Sequence, residues 1–575
     1  MTAAADGFHH PASEQELIDL VTTANREGRG LRVRGSAHSV AHAIYTDPQA
    51  GLANRVNHQA PPGGENVDVM LDRYRAWRVK DEANRLVEAE AGIHLGADPG
   101  DPTQGATLES SLLFGLAQRG WTLADTGGIT RQTISGFTAT GSSGGSLRFS
   151  SNANLHGFRV IDGTGEVHDL TRDDPEFFAM APSLGLMGVV STITFQCTEL
   201  FAIEGREAVE SVSDCSIDLL GDGDDRRPSL ERFLRDTDFA RLEWWPQRGV
   251  ERVVVWQATR TEPPAGFEPH PYERFAQSPE ASQHVVGVLF AILGNLDDLS
   301  KAKRALEGSF DELKRSLEHV PALHGLGAVG RLLARVVSLA IEGGVDAAIT
   351  LLEPAAPLIR RELPDFFPKL MRAFIPLDGD KGPQRFTDWS WHGLPMDNDA
   401  SDVLVPTEFT ETWIPVARTQ QAMALLHAHF SEPDDDAEAY RRTGTYVWEL
   451  YSAMPSQFWL SPGYSAGDDE WRDGAFRVDP YWFADSAGDP AETFFPGLWQ
   501  LLRDNGVPFR LHWGKFQPVY ERGDRTWVEH FRAQYPRWDD FLRLRAERDP
   551  NNIFLTDYWR DRFGLWNEPG PLPSS

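Results

Sequence analysis

Hydrophobic and polar positions along the first 205 residues predict strands and helices in alternation. Residues 13–27 begin with the S-x-x-E pattern of Ser13 and Glu16, and then carry apolar residues three and four positions apart, which predicts a capped helix. Gly28 and Gly30 predict its end, and the run LRVRG predicts a short strand directly after it. Further along, FRVIDGTGEVHDL predicts a hairpin that turns at GTGE, and the β-branched run MGVVSTITFQ predicts another strand.

The pattern changes twice in the rest of the chain. From residue 206 to 262 strands rich in aromatic residues predominate, whereas residues 270–375 have apolar positions at helical spacing and predict a helical insertion. From residue 405 strands alternate with helices again, which is typical of helices packed on one face of an antiparallel sheet. The tail predicts a helix followed by an irregular segment. We therefore predict an α+β protein divided into residues 1–205, 206–505 and 506–575.

Charge and cysteine content narrow the possible partners and surroundings. The 575 residues contain 85 acidic and 55 basic side chains, a net charge of −30 that repels nucleic acid and anionic membrane surfaces. Cys197 and Cys215 are too few for a disulfide framework and fit a reducing compartment. The N-terminus lacks the basic start and apolar run of a signal peptide, and no stretch of 18 apolar residues occurs. We expect a cytoplasmic protein without a membrane span.

Glycine-bearing tracts are the first candidates for chemistry. The segment Gly35-Ser36-Ala37-His38-Ser39 directly follows the strand LRVRG, and Gly127-Gly128 and the run TGSSGGS at 140–146 come later. Glycine lets the main chain approach a ligand closely and supplies positive φ, so the backbone amides of such loops can converge on a pyrophosphate. A single loop of this kind is more often an ordinary turn, and only the combination is specific.

Taken in order, the tracts resemble a known family. The runs LRVRGSAHS, EAEAG, GLAQRGWTLADTGGITRQTISGFTATGSSGGS, FRVIDGTGEVHDLTRDDPEFF and PSLGLMGVVSTITF resemble the FAD-binding domain of the vanillyl-alcohol-oxidase superfamily, also called the p-cresol-methylhydroxylase type. The resemblance extends from residue 11 to about residue 205. Near the other end, RLHWGK at 510–515 resembles the H-W-x-K motif of sugar-acid lactone oxidases, and DPNNIF at 549–554 resembles their closing D-P-x-x-x-F segment. The branch implied is that of the aldonolactone and alditol oxidases.

The resemblance implies a domain plan. It assigns residues 1–205 to a two-part FAD-binding domain of the p-cresol-methylhydroxylase type, to which residues 506–575 return as a segment at the flavin site. Residues 206–505 would form a cap domain with an antiparallel sheet, and the helical insertion at 270–375 belongs to that cap. The flavin ring would then lie between the two parts.

The resemblance also implies FAD and the residues that hold it. His38 falls where oxidases of this branch join a histidine to the flavin methyl group, so a covalent bond through His38 is implied. The other implied cofactor contacts are Gly35, Ser36, Ala37, Ser39, Gly127, Gly128, Thr133, Gly136, Thr140, Gly141, Ser142, Ser143, Gly144, Val189, Val190 and His512. One position departs from the family, which usually reads T-G-T-H-G where this chain reads TGSSG. Ser143 therefore replaces a histidine and changes the pocket edge near the isoalloxazine.

On the substrate side the resemblance implies a rearranged polar set. Glu449 matches the glutamate of the Glu-x-Arg strand of alditol oxidases, but Tyr451 stands at the arginine position. On the next strand Arg477 and Asp479 stand where histidine and threonine are usual, and a plain salt bridge between them is the alternative reading. Lys515, the only lysine in the last third of the chain, would supply positive charge beside the reduced flavin or hold the substrate oxygen. The predicted catalytic set is Lys515, Glu449, Tyr451 and Arg477.

Other patterns are rejected as sites. Glu411 lies in an E-x-x-x-P strand, but a carboxylate at a strand end is more often structural, so it is outside the predicted catalytic set. The G-x-G-x-x-G match at 325–330 follows a predicted helix rather than a strand, which excludes a dinucleotide site there. His427 and His429 are two residues apart on a predicted helix and face different sides. The acidic run at 432–438 lacks the ligand order of an EF-hand. No metal site is predicted.

The expected function follows from the resemblance. It is the oxidation of a CH–OH carbon by hydride transfer to flavin N5, with O₂ or another acceptor taking the electrons. The expected substrate is a polyol, a sugar or an aldonolactone. The helical insertion and the many aromatic residues leave open a bulkier apolar alcohol such as a sterol. The changes at Ser143, Tyr451 and Arg477 leave open a flavin-binding protein without turnover.

Overall fold

The computed structural model describes residues 3–47, 65–273, 289, 292–293, 295–296, 298–308, 323–379, 382–398, 407–431, 447–483, 490–518 and 520–573. The acidic run at 432–438 and most of 274–322 in the predicted helical insertion lie outside them. The described residues combine helices with antiparallel sheets, as an α+β protein does.

The strands in chain order are β1 (Leu31–Arg34), β2 (Val67–Met70), β3 (Trp77–Asp81), β4 (Leu86–Glu90), β5 (Trp121–Thr122), β6 (Leu155–Ile161), β7 (Val167–Thr171), β8 (Val189–Gln196), β9 (Thr198–Glu199), β10 (Ala202–Glu210), β11 (Phe239–Trp244), β12 (Val253–Thr261), β13 (Gln384–Trp389), β14 (Thr407–Phe409), β15 (Thr412–Pro415), β16 (Val447–Ala453), β17 (Ala475–Phe483) and β18 (Arg510–Leu511). The α-helices span Glu14–Glu27, Ala41–Ile44, Leu112–Ala117, Ile134–Thr140, Leu230–Asp236, Leu299–Gly308, Gly327–Gly343, Val345–Leu352, Ala356–Phe374, Ser390–Gly393, Thr419–Phe430, Pro490–Thr493, Phe495–Asp504, Thr526–Gln534, Trp538–Arg548 and Asp557–Phe563. Short 3₁₀ helices span Ser151–Asn154, Pro175–Ala179, Glu353–Ala355 and Val416–Arg418.

The first helix begins and ends where the sequence predicts. The Ser13 hydroxyl accepts a hydrogen bond from the Glu16 amide at 3.3 Å, and the Glu16 carboxylate accepts one from the Ala12 amide at 2.8 Å. These bonds satisfy two donors at the helix start. Gly28 ends the helix with a left-handed φ of 65°. Both signals are confirmed.

A five-stranded antiparallel sheet, in the order β3-β4-β8-β6-β7, forms the core of the N-terminal part. The predicted hairpin is confirmed, since β6 pairs with β7 from Gly157–Thr171 to Ile161–Val167. The glycine-rich tract after residue 129 differs from the prediction, because it contains the helix Ile134–Thr140, which Thr133 caps and Gly141 ends at φ 81°. Polar threonines and a serine at the ends and on the face of this helix conceal its periodicity.

A nine-stranded antiparallel sheet dominates the rest of the molecule. Its order is β13-β10-β12-β11-β16-β17-β15-β18, and β14 also pairs with β17. Strands far apart in sequence therefore meet, because β11 lies beside β16 and β15 beside β18. β10, which crosses the predicted boundary at residue 205, belongs to this sheet.

Four helices between Leu299 and Phe374 form a separate apolar core around Leu333, Val337 and Leu370. Among the described residues one helix, Leu323–Gly343, is long and apolar enough to cross a membrane by length and composition. Its buried side chains pack into that core, and the core helix of a soluble protein passes the same test.

The C-terminal tail returns to the first strand. The Leu31 amide donates to the Ile553 carbonyl at 2.7 Å, and the Trp559 indole donates to the Ala43 carbonyl at 3.3 Å. The tail also differs from the predicted irregular segment, since its last turns form the helix Asp557–Phe563. The same return brings the RLHWGK segment to the loop after β1, where the Val40 amide donates to the Gly514 carbonyl at 2.9 Å.

Candidate active site

Alternation along neighbouring strands gathers polar side chains on one face of the nine-stranded sheet. The register aligns Glu243 on β11 with Glu449 on β16, and Glu449 with Asp479 on β17. All three carboxylates are buried. Apolar residues of the same strands pack into the core on the opposite face: Leu242, Trp244, Trp448, Leu450, Phe476 and Val478. Because buried charges need partners, this row is expected to lie against cations or hydrogen-bond donors.

Arg477 provides one of those cations. Its guanidinium lies 2.8 Å from the Glu411 carboxylate and 3.4 Å from that of Asp479. It is also stacked over the rings of Tyr451 and Trp413, at 4.7 and 4.8 Å from their centres. Burial lowers the pKa of Arg477, but the neighbouring Glu411 and Asp479 raise it by more than burial lowers it. The guanidinium therefore stays charged. The salt bridge with Asp479 that the alternative reading implies exists, but Glu411 is the nearer partner.

Glu411 lies at the break between β14 and β15 and is buried. Its carboxylate accepts a hydrogen bond from the Trp413 indole at 2.7 Å, and its carbonyl accepts one from the His512 amide at 3.0 Å. Burial raises the pKa of Glu411, but Arg477, His512 and Lys515 lower it, and the net shift is downward. Glu411 therefore connects Arg477 to the RLHWGK segment as an ionised carboxylate.

Arg241 is the second cation on this face, and it is almost completely buried. One guanidinium nitrogen contacts Asp397 and lies 3.5 Å from Glu243 and 3.7 Å from Glu449. The oxygens of these three carboxyl groups lie within 4.8 Å of one another. One positive charge among three buried carboxyl groups leaves an excess of negative charge, which favours protonation of at least one of them.

Glu449 is the carboxyl group that takes up that proton. Burial raises its pKa most strongly, nearby Asp397 raises it further, and Arg241 opposes the shift, with a result of about 8. The phenol groups of Tyr451 and Tyr481 both hydrogen-bond to the same Glu449 oxygen. The Tyr451 hydroxyl also lies 3.2 Å from Asp397. Glu449 and Tyr451, both predicted as catalytic, are thus in direct contact.

Glycine-rich loops of the N-terminal part cover this polar face. The Arg477 guanidinium donates to the carbonyls of Ser143 and Gly144 at 3.0 and 3.1 Å. A Cβ atom on Gly128 would lie 2.4 Å from the Asp397 carboxylate and 3.5 Å from the Tyr451 hydroxyl. A side chain at position 128 would therefore displace the Asp397 carboxylate. The loops containing Gly128 and Ser143 meet the side chains predicted to carry the chemistry.

The loop that carries His38 lies on the other side of the same region. Ala37 has a left-handed φ of 62°, an uncommon conformation for a residue with a side chain, and such strain concentrates at functional sites. The Lys515 ammonium donates to the His38 carbonyl at 2.8 Å and lies 4.0 Å from the centre of the Phe409 ring. Phe409 in turn stacks on Tyr481 at 4.7 Å. Lys515, His38 and the carboxyl cluster therefore belong to one region.

His512 is buried between these loops. Its Nδ1 accepts a hydrogen bond from the Gly514 amide at 3.1 Å, which assigns the proton to Nε2, and Nε2 lies 3.3 Å from the Ser142 hydroxyl. Burial lowers the pKa of His512 to about 4, so the ring is neutral at pH 7. Gly514 also lies close to Ser39 and Thr140. A Cβ at position 514 would lie 2.6 Å from the Ser39 side chain and 3.3 Å from the Thr140 side chain.

The remaining predicted cofactor contacts divide into two groups. Gly35 is packed against the cap of the helix Ile134–Thr140, since a Cβ there would lie 2.5 Å from the Thr133 hydroxyl and 3.7 Å from Gly136. Val189 and Val190 lie instead at the start of β8, paired with Ile161 and Val160, and their side chains are buried in the core. The side chains of these two valines are therefore not available to a ligand.

The arrangement fits a dinucleotide with a flat ring. Partly exposed residues of the loop after β1, of the loop at 127–129 and of the helix Ile134–Thr140 with the turn after it are nearly all glycines or small polar residues: Gly35, Ser36, His38, Ser39, Gly128, Ile129, Gly136, Thr140 and Ser142. We take this surface as the candidate flavin groove, because backbone-lined surfaces of this kind suit phosphate and ribityl groups. Lys515 and Tyr481, which are connected through Phe409, are also partly exposed.

Sequence reasoning missed several residues of this site. Arg241 and Glu243 alternate with apolar residues in the run FARLEWWPQ, so the period-two pattern was a usable signal for them. Glu411, which is outside the predicted catalytic set, is the carboxylate nearest to Arg477. Asp397 lies between a short helix and β14 and carries no local signal, because its contacts with Arg241 and Gly128 depend on the folded chain.

The chain is similar to several known proteins. The chain is 23% identical over 569 residues, 98% of its length, to an L-gulono-1,4-lactone dehydrogenase of Mycobacterium tuberculosis, and the match covers 96% of that protein. It is 25% identical over 263 residues to a D-arabinono-1,4-lactone oxidase of Kluyveromyces lactis, a match that covers 45% of this chain and 42% of that one. A solvent-stable cholesterol oxidase has the same fold, with a TM-score of 0.60 and 15% identity over 97% of this chain and 94% of that chain. No protein-family model matches the chain.

Proposed function

Because the chain belongs to the FAD-linked oxidase superfamily of the vanillyl-alcohol-oxidase or p-cresol-methylhydroxylase type, in its aldonolactone-oxidase branch, we propose that it is an FAD-dependent enzyme that oxidises a CH–OH group. The proposed substrates are aldonolactones, sugars and polyols. O₂ or another acceptor would take the electrons from the reduced flavin.

One observation carries this proposal. A polar face with two buried guanidinium groups and several buried carboxyl groups lies directly beneath glycine-rich loops, with Lys515 tied to the His38 carbonyl at 2.8 Å. Burying so many charged groups costs free energy even when they are paired. Such groups concentrate at functional sites. The glycines supply the close approach that a dinucleotide requires.

Each part of the site has a role in the proposed reaction. The loops containing Gly35, Gly128 and Gly144 hold the diphosphate and the ribityl chain. FAD, when bound, accepts the hydride from the carbon that is oxidised. Lys515 places a positive charge where negative charge develops. Glu449 and Tyr451 lie where the hydroxyl proton of the substrate must be removed.

We further propose that His38 forms the covalent bond to the flavin. The Ala37 main chain, held at φ 62°, and the Lys515 contact to the His38 carbonyl fix this loop beside the groove. Acid precipitation of the purified protein tests the bond. A yellow pellet from the wild type and a colourless pellet from His38→Ala support it, whereas a colourless wild-type pellet above a yellow supernatant contradicts it.

A lactone or polyol is a stronger candidate substrate than a sterol. The relatives named for lactone oxidation match this chain in sequence, one of them over 98% of its length. The cholesterol oxidase supports the sterol alternative only through its fold, since it is 15% identical. A polar face rich in buried carboxyl groups also suits a substrate with several hydroxyl groups better than an apolar one.

Anaerobic flavin bleaching tests the function. The purified protein is mixed, without O₂, with L-gulono-1,4-lactone, D-arabinono-1,4-lactone, a linear alditol or cholesterol, and the flavin absorbance is followed. Loss of the absorbance with a lactone or alditol supports the proposal, and loss only with cholesterol supports the sterol alternative. A flavin that none of them bleaches supports a binding protein without turnover.

A further inference from the structure

We propose that Tyr451 transfers the hydroxyl proton of the substrate to Glu449, within the buried network that also contains Asp397 and Arg241. This inference rests on the proposed function and adds the path of the proton. It concerns the position at which this chain carries a tyrosine where the resemblance implies an arginine.

The position of the Tyr451 hydroxyl is the first argument. It lies 3.5 Å from the point that a Cβ on Gly128 would occupy, so it reaches the glycine loop assigned to the flavin. The same oxygen hydrogen-bonds to Glu449 and lies 3.2 Å from Asp397. The phenol therefore stands between the groove and two carboxyl groups, as a transfer group must.

The number of hydrogens that the phenols can share with Glu449 also favours the relay. A phenol has one hydrogen, and Glu449 Oε2 already meets both Tyr451 and Tyr481. When Glu449 is ionised, both phenols donate to it, and the lone pairs of Tyr451 remain available to accept a hydrogen from another group. Arg241 holds the other oxygen of Asp397, and Asp397 Oδ2 is a second possible acceptor for the Tyr451 hydrogen. In this network a proton that reaches Tyr451 can pass on to Glu449.

The charged and titratable groups around Glu449 support its role as the final acceptor. Arg241 and Glu243 face it from β11, Asp479 and Tyr481 from β17, Asp397 from its loop, and Tyr451 from β16 itself. Burial and the neighbouring carboxylates hold its pKa near 8. A base with a pKa near the working pH accepts and returns a proton readily.

In the proposed step one C–H bond and one O–H bond of the substrate break. The C–H bond of the carbinol breaks and its hydrogen leaves with both electrons as hydride, which reduces the flavin. The O–H bond breaks, its proton passes to the Tyr451 oxygen, and the Tyr451 proton passes to the Glu449 carboxylate. The substrate becomes a carbonyl compound after losing two electrons and two hydrogens, and neutral Glu449 later returns its proton to solvent.

Two matched tyrosine variants of the flavin-bound protein test the relay. We expect the rate of anaerobic bleaching of the wild type to rise with pH through about 8, because the ionised form of Glu449 is required. Tyr451→Phe removes the transfer group, and we expect flavin content to be retained while bleaching slows by about 100-fold or more and this pH dependence is lost. Tyr481→Phe removes a donor to the same Glu449 oxygen but leaves the Tyr451 hydroxyl in place, so we expect the pH dependence to be retained and shifted upward.

Infrared spectroscopy supplies a readout independent of turnover. Without substrate, a carboxylic-acid C=O band should disappear from wild type as pH rises through about 8. The band should be absent from Glu449→Gln and should persist to higher pH in Tyr481→Phe. A wild-type protein that no hydroxyl compound bleaches overturns the proposed function itself. A wild type that is bleached, with Tyr451→Phe equal to it in rate and pH profile, overturns the relay alone.

Discussion

At the scale of single residues, the site depends on buried charges that satisfy one another. Arg477 is paired with Glu411 at 2.8 Å, and both side chains are less than a tenth exposed. Surface pairs such as Arg418 with Glu470 have similar geometry, at 2.7 Å, but remain in water. Burial decides the difference, because water screens the exposed pair and cannot replace a missing partner in the buried one.

Replacing Glu411 should therefore cost far more than replacing Glu470. Glu411→Gln leaves the buried Arg477 without its nearest carboxylate, and we expect the free energy of unfolding to fall by about 3–5 kcal/mol. The exposed control, Glu470→Gln, should change it by about 1 kcal/mol or less. Urea unfolding followed by tryptophan fluorescence measures both. Equal effects of the two variants would show that the Glu411 pair has no special role.

His512 gives a prediction about acid stability. Burial lowers its folded-state pKa to about 4, below the value near 6.5 that histidine has in an unfolded chain. The unfolded state then binds more protons between those two values, so His512 stabilises the fold fully above pH 6.5 and loses that contribution as pH falls towards 4. In this pH window, His512→Gln should reduce the slope of the free energy of unfolding against pH by the amount that corresponds to about one proton. A slope identical to that of wild type would show that His512 does not titrate in this way.

At the scale of elements, features that depend on neighbouring residues could be predicted from the sequence, whereas the pairing of distant strands could not. The cap at Ser13, the stop at Gly28 and the β6–β7 hairpin follow from neighbouring residues, and all three occur. The helix Ile134–Thr140 was missed because its threonines, serine and glycine read as a loop. The order of the nine-stranded sheet has no local signature, since β11 pairs with a strand some two hundred residues away.

The glycine loops give a prediction at this scale. A Cβ on Gly144 would lie 2.2 Å from the Thr126 carbonyl and 2.3 Å from the Asp125 carboxylate, so Gly144→Ala must displace backbone. We expect this variant to lose bound flavin and to melt at a lower temperature. Gly497→Ala is the matched control: it lies in the helix Phe495–Asp504 with no atom outside that helix's own backbone within 4 Å of its Cβ, and alanine there should stabilise by about 0.5–1 kcal/mol. Unchanged flavin content in Gly144→Ala would contradict the close approach.

At the scale of the whole molecule, the two ends of the chain build one site. The loop after β1 meets the segment after β18, where the Val40 amide donates to the Gly514 carbonyl at 2.9 Å. The tail then continues to β1 through the Leu31–Ile553 hydrogen bond. The motifs RGSAHS and RLHWGK predicted that these segments share a site, but only through the family resemblance. Asp397 could not be found in that way, since its role depends on the assembled chain.

Removal of the tail tests this assembly. A chain that ends at Arg548 lacks the residues that bond to β1 and the indole that reaches the Ala43 carbonyl. It also loses the buried apolar side chains of Ile553, Phe554 and Trp559, which exposes the core residues that pack against them. We expect the shortened protein to aggregate or to be purified without flavin. A soluble, fully yellow product would show that the tail does not support the site.

The central claim is that this chain binds FAD and uses it on a hydroxyl-bearing substrate. The most direct measurement is the absorbance spectrum of the purified protein, recorded before and after an aldonolactone is added without O₂. We predict a flavin spectrum that the lactone bleaches. A colourless protein that takes up no FAD on reconstitution would contradict the account.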